Sequence, residues 1–173
     1  MKNRVYRVVS ICVGFFFLLT ISLSVFGEPQ SQEDRVLIEN NIRASIGWAL
    51  TKDRPLLESV LAHDEHFFIF HPSSTGTIVG WEAFLPLFEI WMSPKFKATH
   101  FDVRELRINM SRRGDVAWFS AILDDCGEWE GEPDCWNDTR WTGVLEKRDG
   151  RWLIVQMHFS FASDKVLAEP EKK

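Results

Sequence analysis

Five side chains near the end of the chain have the types and spacing for acid–base chemistry. Arg140 and Thr142 lie in DTRWTGVLEK, and Gln156, His158 and Ser160 lie in RWLIVQMHFSFAS, each set on alternate positions. Two extended segments joined by a short turn form a hairpin, with side chains alternating between its faces. A three-residue turn at Arg148, Asp149 and Gly150 sets Arg140 opposite His158 and Thr142 opposite Gln156. That register gathers all five on one face and puts Trp141, Leu145, Val155, Met157 and Phe159 on the other. A two-residue turn at Asp149 and Gly150 would slip the register by one and break the group. A neutral imidazole beside a guanidinium is the equipment of a general acid or base, which makes His158 the candidate catalytic residue. Arg140 would then hold a carboxylate or enolate, and Gln156 would orient the ligand. The same groups serve equally well to satisfy one another across a packed or dimeric interface.

Other candidates are more scattered. Asp124 and Asp125 end one extended segment and supply a carboxylate for moving a proton, or solvated charge beside Glu128, Glu130, Glu132 and Asp134. His71 stops a strand before Pro72, on the face opposite Phe68 and Phe70, and is read as a ligand contact or a turn residue. His100 opens another strand, on the surface. The run HDEH at 63–66 has metal-ligand residue types, but adjacent residues at a helix-to-strand junction point apart, so no metal site is assigned. Trp48, Trp81, Phe84, Phe88, Trp91, Trp118 and Trp152 are enough aromatic surface for a flat apolar ligand, or simply for a core. No phosphate loop, nucleophile elbow or dinucleotide fingerprint is present, and no cofactor is expected.

The elements that must position these residues follow from periodicity. From Ser31 to Thr51 apolar residues recur at helical spacing, with Ser31 and Asp34 resembling a capping box. Asp53 caps a second short helix with Pro55 in its first turn. HFFIFHP and TIVG read as short strands, and WEAFLPLFEIW as a third helix containing Pro86. Four long extended segments separated by turn signals follow. Helix, helix, short hairpin, helix and a long meander predict an α+β fold with helices on one face of a bent sheet.

Compartment is written at the start of the chain. Lys2, Arg4 and Arg7 precede an uncharged run of about 18 residues, the layout of a signal peptide over 1–27, with Val25 and Gly27 at the positions that fit a cleavage site. At that length an uncleaved membrane anchor is the alternative. Residues 1–27 carry three basic groups and no acidic one, so the formal net charge of −5 becomes −8 without them. Such a balance argues against nucleic acid as partner. Cys126 and Cys135 are the two cysteines left after the signal, an even count in an exported chain, and a hairpin pairing them directly predicts a disulfide. Export to periplasm or medium is expected, with no membrane contact after cleavage. The domain spans 28–165, and 166–173 is a polar tail.

Gly80-Trp81, GDVAW at 114–118 and RWTGVLEKRDGRWLIVQMHFSF at 140–161, in this order of elements, resemble the SnoaL-like branch of the nuclear transport factor two-like (ketosteroid isomerase-like) superfamily. The resemblance implies a cone-shaped barrel, its antiparallel or mixed sheet wrapped around three N-terminal helices. It also implies a cavity for a small, partly apolar ligand, bordered near His71, and a homodimer through the outer sheet face. Arg140, Thr142, Gln156, His158, Ser160, Trp118 and His71 are the ligand contacts expected. Isomerase- or lyase-type chemistry would follow, or a noncatalytic association module. The steroid isomerases' Tyr-Asp pairing has no match, since Tyr6 is the single tyrosine.

Overall fold

In the computed structural model, residues 28–73 and 76–163 are described. The signal and tail assigned to 1–27 and 166–173 lie outside them. Helix α1 (Glu28–Gly47) runs into a 3-10 turn (Trp48–Leu50) and is followed by α2 (Arg54–Val60). Strands β1 (Phe68–Phe70) and β2 (Thr77–Val79) precede α3 (Trp81–Met92). Four long strands complete the chain: β3 (Phe96–Met110), β4 (Val116–Trp129), β5 (Glu132–Arg148) and β6 (Arg151–Ser160). The strands form one mixed sheet in the order β2-β1-β6-β5-β4-β3 that does not close, with β1 parallel to β6 and every other pair antiparallel. No helix among the described residues is long and apolar enough to cross a membrane.

The helices cover one face of the sheet, and the core lies between. Ile38 and Ile42 of α1, Leu57 of α2 and Phe84 and Phe88 of α3 meet Leu123, Trp141, Leu145, Met157 and Phe159 from the sheet, all buried. Asp53 caps α2 as expected, accepting from the Leu56 N–H at 3.0 Å. Asp34 is not a capping residue, because α1 begins six residues earlier. Its carboxylate, 3 % exposed, instead accepts from Lys147 Nζ at 2.8 and 2.9 Å and Trp152 Nε1 at 2.9 Å, tying the helix to the last hairpin. At Gly143 the Phe119 ring packs straight onto β5, and a Cβ there would meet Phe119 Cε1 at 2.5 Å.

The register of the last hairpin differs from expectation. The last turn holds two residues, Asp149 and Gly150 (φ 50° and 80°), and pairs Arg148 with Arg151. That turn would have broken the polar group, but Val155 bulges out of β6, so that Leu145 pairs with Ile154 while Val144 pairs with Gln156. The second slip restores the parity lost in the first, and Arg140 faces Ser160 while Thr142 faces His158. Farther along, the acidic stretch around the cysteines is not a loop. Strands β4 and β5 run on to a two-residue turn at Glu130 and Gly131. Cys126 and Cys135 are cross-strand partners, Cα atoms 4.1 Å apart, and are disulfide-bonded.

Candidate functional site

Between the helices and the inner sheet face lies a cavity of about 400 Å³. Trp48 from the 3-10 turn, Phe84, Leu87 and Trp91 from α3 and Leu57 and Leu61 near α2 form one side. Ile69 of β1 and His71 just after it lie on the other, with Met157 and Phe159 from β6. The far end is built by the β4–β5 tip, with Asp125, Glu128, Trp129, Asp134 and Trp136.

A bulge aims that tip. Leu123 pairs with Thr139 but Asp125 with Trp136, so β5 carries one residue more than β4 over this interval, and Asp138 takes the left-handed conformation (φ 51°). Trp136 is thereby brought to the same face as buried Thr139 and Trp141 and closes on His71, ring centroids 4.8 Å apart. Its indole also meets Phe159 at 6.0 Å. The bulge is pinned from outside: Asp124 accepts from the Asp138 N–H at 2.8 Å and from Arg104, which bonds Asp138 as well. Those bonds, the backbone one first, hold the Asp124 carboxyl below the usual range.

Neighbouring Asp125 has the opposite environment. Burial, and secondarily the like charge of Asp134, push its carboxyl up to about 6. Burial also pushes the His71 imidazole down, so it is neutral at pH 7, and its Nδ1 lies 3.2 Å from Ser73 Oγ. A carboxyl titrating near neutrality and an uncharged imidazole on the wall of one apolar cavity are capable of proton transfer to or from a bound molecule.

The sequence-assigned residues divide. His71 lines the cavity. Arg140, Thr142, Gln156, His158 and Ser160 do share one face, but it is the face turned away from the helices, and none lines the cavity. Trp118 is on that outer face too, opposite Val144 and 46 % exposed. Phe70 joins it from β1, 49 % exposed, its ring 5.1 Å from that of His158. Of the aromatic residues named, Trp48, Phe84 and Trp91 line the cavity, whereas Phe96, Trp129 and Trp136 line it unforeseen. In HDEH, His63 stacks on Trp81 (3.9 Å) and Asp64 pairs with Arg148, while Glu65 and His66 are exposed. His100 is exposed on β3, as expected.

Comparison with known proteins follows the same lines. The SnoaL-like domain profile matches residues 38–164. A nuclear transport factor two-like superfamily protein from Salmonella enterica superposes with a TM-score of 0.68 at 18 % identity, covering 81 % of this chain and 99 % of that one. The association domain of C. elegans CaMKII gives 0.58 at 16 % identity, over 78 % and 100 % of the two chains. A candidate ketosteroid isomerase from Shewanella frigidimarina gives 0.55 at 21 % identity, over 70 % and 92 %. At these identities the likeness is one of fold. No curated protein matches the chain.

Proposed function

The chain belongs to the SnoaL-like domain family, and from that premise we propose that it is an exported protein binding a small, partly apolar molecule in its cavity. The observation that carries this reading is Asp125: a desolvated carboxyl on the wall of a largely apolar cavity of ligand size. His71 is the second polar contact. Asp125 supplies the proton-transferring group for isomerase- or lyase-type chemistry, in place of the role assigned to His158. Export rests on the charge and apolar pattern of residues 1–27, supported by the Cys126–Cys135 disulfide.

Native mass spectrometry of the protein expressed through its own signal tests the binding. The expected spectrum shows a small-molecule increment that disappears in Leu57→Trp, which fills the cavity. No increment in the native protein, with no change in tryptophan emission across a panel of small apolar probes, overturns the reading.

A second reading concerns the outer face. Trp118 and Phe70 expose large apolar surface beside Arg140, Thr142, His158 and Ser160, the mixture of aromatic and arginine side chains typical of an interface centre. These residues join two copies into a homodimer, leaving the cavities of both open.

A further inference from the structure

The charge on the cavity wall is one-sided. The charged side chains that line it are Asp125, Glu128 and Asp134, and no lysine or arginine joins them. Glu128 reaches Lys97 Nζ at 3.7 Å, and Lys95 at the tip is engaged by Glu130. Among the described residues, Asp125 and Asp134 have no cationic partner. They are close enough for one to disfavour ionisation of the other. His71, the remaining titratable group on the wall, is kept neutral by burial and offers no counter-charge. The rest of the wall is mainly aliphatic and aromatic, with indole surface from Trp48, Trp91, Trp129 and Trp136.

We propose that this cavity selects a small lipophilic organic cation, a protonated amine or quaternary ammonium, with its charged head against Asp125 and Asp134 and its apolar body among the tryptophans. The inference rests on the cavity being the binding site. Three ligand classes fare differently there. A neutral apolar molecule would leave the desolvated Asp125 carboxyl, with exposed Asp134 beside it, without a partner, at a cost that buried polar groups impose on any ligand lacking their complement. An anion would add a third like charge. A cation neutralises the pair, and indole faces attract it through the negative potential above the ring. A bound cation also favours the ionised form of Asp125, leaving it a base toward acidic protons of the ligand.

The test uses the mature, disulfide-bonded protein and three probes of similar shape. Benzyltrimethylammonium is compared with neopentylbenzene, its uncharged carbon analogue, and with phenylacetate, each titrated by tryptophan emission and checked by native mass. The expected result is an ammonium affinity at least about tenfold above that of the carbon analogue, with phenylacetate weakest. In Asp125→Asn combined with Asp134→Asn the gap should shrink to within about threefold, while neopentylbenzene binds no more weakly than before. Equal or tighter binding of the carbon analogue or phenylacetate in the native protein overturns the charge inference and leaves the cavity reading standing. So does a gap that survives the double substitution. Failure of all three probes to bind overturns the cavity reading and this inference with it.

Discussion

Asp125 and Trp136 are direct cross-strand partners, one rung from the Cys126–Cys135 disulfide, so the covalent link fixes the spacing of two residues at the cavity's far end. A desolvated carboxyl is thus held in place by its neighbour's bond, and the consequences of disturbing either are separable.

Asp125 should make stability depend on pH. Its folded-state pKa of about 6 lies above the ordinary aspartate value of 3.8, so the protonated carboxyl favours the fold. That contribution is complete below the unfolded value and is lost as pH rises through about 6. Asp125→Asn removes the ionisation cost and should stabilise by about 3 kcal/mol at pH 8, with little change at pH 4. Urea midpoints of both proteins at the two pH values decide it. A stability gain equal at both would show that desolvation is not the cause.

Reducing the disulfide should loosen the tip and spare the rest. Closing so short a loop contributes about 2.5 kcal/mol. Under reductant, amide exchange should accelerate from Asp125 to Trp136 and stay unchanged across Val144 to Leu153. Uniform acceleration would mean that the bond supports the whole sheet.

Arg140→Glu and Trp118→Arg each place an unmatched charge at the centre of the outer face. Both should shift a dimer to monomer in light scattering at micromolar concentration, without altering probe binding in the cavity. A dimer that persists in both assigns the contact to another surface.

Asp34→Ala should strand the partly buried Lys147 ammonium and the buried Trp152 indole N–H. Removing one partner of such a pair costs about 3 kcal/mol, read as a fall in the denaturant midpoint. Asp34→Asn, which keeps an acceptor, should cost less.

Gly143→Ala sets a methyl group against the Phe119 ring and the Gln156 carbonyl oxygen, 2.7 Å away. Overpacking of this kind costs about 2 kcal/mol, and Phe119→Leu in the same chain should recover part of it.

Much of the architecture was legible because it follows from period and punctuation. The helical spacing of Ile38 and Ile42, the Asp53 cap and the alternation in the last two strands each report a local choice made by the backbone. The candidate site was less so, and two residues show why. Val155 bulges from β6 with nothing in its own type to announce it, and Asp138 does the same in β5. Bulges answer to packing across the sheet, so a pairing counted outward from a turn drifts at each one. The grouping of Arg140 with His158 came out right because two slips cancelled. Which side of the sheet that group faces is a separate question, and alternation alone is symmetric in it. The helices break the symmetry, and burial of Trp141, Met157 and Phe159 against them settles that the polar set looks outward. Asp125 was in view as one of two carboxylates, and the bonds that fasten Asp124 to Arg104 and the Asp138 backbone distinguish the pair.

In the strand order β2-β1-β6-β5-β4-β3, the last strand in chain order sits inside the sheet, with β1 on one side and β5 on the other. The anchor of α1 on Lys147 and Trp152 belongs to that same final hairpin. The early helices also meet β3, but the pairing of β1 and the Trp152 half of the Asp34 anchor wait until β6 is present, so these sequence-distant contacts form last. Closure of the core is thus a late step in folding, compatible with the export proposed from residues 1–27.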